Sequence, residues 1–99
     1  MKNQFLNFYL SHHFMLRGWD RSIDKTLLYK VLPFVKCTEC DKDVILVYPS
    51  FLKVRGIARD DRHVLVLIIK KNVIVTSFWC DHPNYLFNQE KDAHFQTHY

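Results

Sequence analysis

Six apolar residues run without a break from Val64 to Ile69, Val64-Leu65-Val66-Leu67-Ile68-Ile69. The run has strand length and is far short of the ~20 residues a membrane helix needs. Successive strand side chains point to opposite faces, so this strand is apolar on both. Such a strand cannot lie at a sheet edge and must have cover on either side. Polar turns bound it, Arg59-Asp60-Asp61-Arg62 before and Lys71-Asn72 after.

β-branched and aromatic residues dominate from Val44 onward, which favours strands. The pattern predicts strands at about 44–48, 51–58, 63–70 and 73–80, with Pro49-Ser50 separating the first two. Lys71-Asn72 is a two-residue hairpin turn in which asparagine is expected to take the left-handed conformation. Short connections predict an antiparallel meander, with Gly56 marking a bulge or close approach in its second strand.

The first third of the chain reads differently. Residues 4–10 suit a short strand or a lead-in turn. Ser11 caps a helix over His12-His13-Phe14-Met15-Leu16-Arg17, and Gly18 ends it. Asp20 or Ser22 caps a second helix from Ile23 to Leu32, where Ile23, Leu27, Leu28, Val31 and Leu32 form one face. Pro33 stops it. The expected fold is α+β: two N-terminal helices packed on a four-stranded antiparallel sheet, in two layers. Residues 1–99 make a single domain, and 82–99 read equally as an ordered arm or a frayed tail.

Composition narrows the function classes. Gly18 and Gly56 are the two glycines, so no glycine-rich phosphate loop can be written. The polar-interrupted start is not a signal sequence, no apolar stretch spans a membrane, and three cysteines cannot all pair internally. A cytoplasmic protein without a membrane partner is expected. Between Lys53 and Lys71, six cations (Lys53, Arg55, Arg59, Arg62, Lys70, Lys71) face two acids, accounting for the whole net charge of +4. A basic stretch of this kind either solubilises strand edges or meets an anionic partner.

Three constellations carry candidate chemistry. Cys37-Thr38-Glu39-Cys40, with Cys80 and His82, could supply four zinc ligands, although a single spacer between Cys80 and His82 suits chelation poorly. Three ordinary thiols are the favoured reading, so no cofactor and no metal are expected, with the zinc set as the alternative. His12, His13 and Arg17 share the first helix, and His13 and Arg17 are four residues apart on one face. Histidine supplies a proton donor or acceptor near neutral pH, and arginine holds a phosphorane's charge. Lys53 and Arg55, on one face of the second strand, with Thr76 on the fourth, form a phosphate-binding floor flanked by Arg59 and Arg62. Trp79, Tyr85, Phe95 and Tyr99 either stack bases or pack in the core. Asp41 and Asp43 read as loop residues.

Ser11-His12-His13-Phe14-x-x-Arg17-Gly18, the following helix, Arg55, the apolar third strand and Ile74-Val75-Thr76 together resemble the RelE-type fold of bacterial ribonuclease toxins, over residues 10–80. The resemblance implies metal-free RNA cleavage, with His12 or His13, Arg17 and Arg55 catalytic and Lys53 and Thr76 binding RNA; the basic stretch adds Arg59 and Arg62 as RNA-binding candidates. It also implies an acidic protein antitoxin. A non-catalytic nucleic-acid or protein interaction module and a small zinc-stabilised adaptor are the alternative expectations.

Overall fold

The computed structural model describes residues 4–5, 8–17, 23–36, 42–57 and 62–99. Among them the chain forms, in order, β1 (Gln4–Phe5), β2 (Phe8–Leu10), α1 (His12–Arg17) and α2 (Lys25–Val31), the last followed by a 3-10 turn (Leu32–Phe34). Then come β3 (Asp43–Val47), α3 (Pro49–Val54), β4 (Val64–Lys70), β5 (Val73–Cys80), α4 (Asn84–Gln89) and β6 (His94–His98).

The strands form one six-stranded sheet in the order β1-β2-β5-β4-β3-β6. The meander is real for β3, β4 and β5, which pair antiparallel in sequence order. The sheet as a whole is mixed, because β2 runs parallel to β5 and β6 runs parallel to β3. This corrects the expected four-stranded antiparallel sheet. The physical reason lies at the two ends of the chain. After β5, α4 carries the chain back across two strands, so β6 lies parallel beside β3, as a crossover connection requires. At the other end, residues 4–10 supply two more short strands.

β4 occupies the middle of the sheet, as its apolar run demands. Leu65, Leu67 and Ile69 face a large core with Phe14 of α1, Leu27, Leu28 and Val31 of α2, and Phe51 and Leu52 of α3. Val64 and Val66 face a second, smaller core with Val44, Leu46, Cys80 and Leu86 of α4. The two-layer expectation is therefore also corrected. Helices cover both faces of the sheet, three on one side and α4 on the other.

The expected strand over 51–58 is instead α3 and its termination. Pro49 sits in the first turn, where its fixed φ suits a helix and its missing N–H costs nothing. Phe51 and Leu52 turn into the core, while Val54 is 83% exposed. Gly56 ends the helix at φ +76°, its N–H reaching the Lys53 carbonyl at 3.1 Å. It is a helix terminator, and not a bulge in a strand. In the β4–β5 hairpin it is Lys71 that carries the positive φ, at 56°, in place of Asn72.

The helix caps follow local chemistry. The Ser11 hydroxyl oxygen accepts the Phe14 N–H at 3.0 Å and donates to the Val75 carbonyl at 2.6 Å. Val75 is the extra residue of a bulge in β5, so Ser11 satisfies a carbonyl at the break in the ladder and pins α1 there. Asp24 caps α2 by accepting the Leu27 N–H at 3.0 Å. The expected caps Asp20 and Ser22, and the helix-ending Gly18, lie outside the described residues. No helix among the described residues is long and apolar enough to cross a membrane.

Leu46 is fully buried in the smaller core. Leu46→Ala is expected to cost about 2–5 kcal/mol, read as a lower urea midpoint at unchanged slope. Asp24→Ala removes a cap and is expected to cost only ~1 kcal/mol.

Candidate functional site at the carboxyl ends of β3 and β6

β3 and β6 run parallel and end side by side, with Val47 opposite His98. The sheet hands over to α3 at this end, and the Tyr48 N–H donates to the His98 carbonyl at 2.8 Å. Alternation then fixes the side chains. His94, Gln96 and His98 share the face of Asp43, Ile45 and Val47, which is the α1–α2–α3 side. Phe95 lies on the α4 side.

Two groups of side chains meet here. In the first, Tyr48 and Tyr99 stack at 4.4 Å between ring centroids, and Tyr99 is 74% exposed. With Pro49, Ser50 and Lys53 they line a pocket of about 370 Å³. Burial pushes the Tyr48 phenol up from its usual range, and a hydrogen bond and charge coupling to Tyr99 add to the rise.

The second group is built on Arg55. Its guanidinium carbon lies 3.4 Å from the Phe51 ring centre and 4.2 Å from that of Phe34. The two rings are nearly perpendicular, and one N–H donates to the Phe51 carbonyl at 3.0 Å. His98 lies against the same Phe51 ring at 5.3 Å. Burial holds the His98 imidazole below its ordinary pKa of 6.5, and the Arg55 charge lowers it further. Among the described residues the buried Arg55 Nε and His98 Nε2 have no hydrogen-bond partner. Lys30 of α2 reaches the same end, its Nζ 3.7 Å from where a Gly56 side chain would begin.

The residues singled out in the sequence are dispersed. His12 and His13 are exposed on α1, which is tied to β5. Arg55 sits beside β6, three strands from β5, and at ordinary strand spacing the axes of those two strands are about 14 Å apart. Arg17 closes α1, and its side chain lies outside the described set, as do Arg59, Cys37 and Cys40. Thr76 pairs with Ile68, whose side chain joins the α4-side core, so Thr76 and Arg55 occupy opposite faces. Arg62 is exposed just before β4. Cys80 is a buried free thiol and His82 is exposed. Trp79 and Phe95 pack against the two cores, while Tyr85 is exposed. Among the described residues no three metal-ligating side chains gather.

The basic stretch is divided as well. Lys53 and Arg55 lie at the carboxyl ends of β3 and β6, whereas Lys70 and Lys71 form the hairpin at the opposite end of the sheet. That opposite end holds a different pair. Asp43, expected in a loop, is 1% exposed in β3, and its carboxylate meets His94 Nδ1 at 3.2 Å. Lys42 pairs with Glu90 nearby.

Sequence reasoning missed His98, Tyr48 and Phe34 as partners. The alternation of His94, Gln96 and His98 with Phe95, Thr97 and Tyr99 signals the strand that brings His98 into place. No family model matches the chain, and no curated protein or solved structure matches it closely enough to indicate a relative.

His98 binds protons less readily folded than unfolded, so its contribution to stability is present above its unfolded pKa of 6.5 and is lost as pH falls below that value. Stability of the wild type is expected to drop more steeply than that of His98→Gln between about pH 7 and pH 5. Parallel stability curves for the two proteins would contradict the assignment.

Proposed function

We propose that this chain is an RNA-directed binding module that holds a single-stranded segment at the carboxyl ends of β3 and β6. The observation that carries the reading is the exposed Tyr99 ring, stacked on Tyr48 at the mouth of a pocket that also presents Lys53 and Ser50. Unpaired bases bind to aromatic platforms because every base has a π face, and nearby cations track the backbone. Tyr48 stiffens the platform from behind. Lys53 and Ser50 offer an ammonium and a hydroxyl to phosphate or sugar oxygens. Lys30 and Arg55 extend the positive charge along the same end.

The reading is one of binding. Cleavage by His12, His13, Arg17 and Arg55 is not carried forward, because α1 and Arg55 stand over different strands.

A fluorescent uridine decamer tests it. Tyr99→Ala is expected to weaken binding roughly tenfold, within the range of one lost stacking contact. Lys53→Ala is expected to reduce the slope of log affinity against log salt by about 0.7, the value for one phosphate on a single strand. Binding that is indifferent to Tyr99 and to salt would overturn the proposal, and RNA cut by the purified protein would restore a catalytic reading.

A further inference from the structure

The Arg55–His98 cluster has features that packing alone does not require. The guanidinium is held between two aromatic rings and anchored through one N–H to the Phe51 carbonyl. Its direction is thereby fixed, which is what a planar donor fork needs to recognise an oxyanion. Yet Nε, a charged donor, is buried without a partner among the described residues, and so is Nε2 of the His98 imidazole. Orphaned buried polar atoms are costly and rare, and here two of them belong to side chains that pack on the Phe51 ring. Phe34, which covers the guanidinium, is 47% exposed. The cluster therefore borders solvent on the Phe34 side.

We propose that Arg55 Nε and protonated His98 Nε2 form an oxyanion subsite that takes a phosphate oxygen, the proton on His98 being taken up from solvent as the anion binds. As a site on the RNA path, the subsite rests on the RNA-binding reading above. As a phosphate site it stands on its own geometry.

The surroundings favour this exchange. From α3, His98 meets Arg55, with Lys53 at the exposed side of the same helix. From the end of β3 it meets Val47 and the Tyr48 backbone, and Tyr48 ionises only well above neutral pH. The 3-10 turn adds Phe34, and the Lys36 backbone is bonded to the Gln96 side chain. On the same face of β6, His94 is engaged with Asp43 at the far end of the strand. In the free protein, burial and the Arg55 charge disfavour a second positive charge at His98. An oxyanion between the two nitrogens reverses that balance and draws the proton on.

The test is an NMR titration of the His98 imidazole in the wild-type protein, with inorganic phosphate and with chloride at equal ionic strength. Phosphate is expected to raise the His98 midpoint by about one unit, equivalent to tenfold tighter binding of the anion by the protonated form. Chloride leaves it in place, and Arg55→Gln removes the rise. A midpoint that phosphate leaves unchanged or lowers would overturn the subsite. A second arm uses the uridine decamer, whose affinity is expected to rise about tenfold from about pH 8 to about pH 5.5. His98→Gln loses that gain. A gain that persists in His98→Gln would overturn the role of His98. If phosphate raises the midpoint but the decamer binds at neither pH, the subsite stands and the RNA reading falls. If the decamer binds near pH 8 without moving the midpoint, the RNA reading stands and the subsite falls.

Discussion

The ladder of β4 between β3 and β5 is the constraint on which the rest of this molecule depends. Leu65 and Leu67 are fully buried on one face and Val66 on the other, so both faces need cover. The N-terminal helices and α3 provide it on one side. Val64 and Val66 on the other side need α4, and α4 belongs to the crossover that delivers β6 to the edge beside β3. The candidate site is thus a consequence of core burial. Covering the second face places His98 and Tyr99 next to the start of α3.

Much of this was legible in the residues, for reasons that differ between elements. β4 and β5 show in the sequence because continuous burial and a tight hairpin leave little else for such runs to be. Ser11 announces α1 through capping chemistry that acts within a few residues. The segment 49–56 misleads because six helical residues are too few to display a helical period. Phe51 and Val54 suggest a strand, whereas proline at the first turn and glycine at the end are the better signal. Parallel pairing of β6 with β3 could not be read locally at all. It follows from where a distant strand finds a free edge, which no short-range pattern encodes.

The same distinction governs the candidate site. Lys53, Arg55 and Tyr99 were visible as residue types, but their company was not. Arg55 was expected on an open sheet face with Thr76, and it lies instead between two phenylalanines with His98, across the sheet from Thr76. The conspicuous His12-His13 pair stands exposed on α1, over a different strand. A strand misread as a helix, or a helix as a strand, moves each cation to a new neighbourhood. Chemistry inferred from spacing then has to be rebuilt.

The most direct test of the central claim is amide chemical-shift mapping of the isotope-labelled protein with a single-stranded uridine decamer. The account predicts that shifts concentrate on Tyr48 to Arg55 and on Gln96 to Tyr99, the two segments that meet at the carboxyl ends of β3 and β6. Shifts centred on His12 and His13, or on the Lys70-Lys71 hairpin, would contradict it.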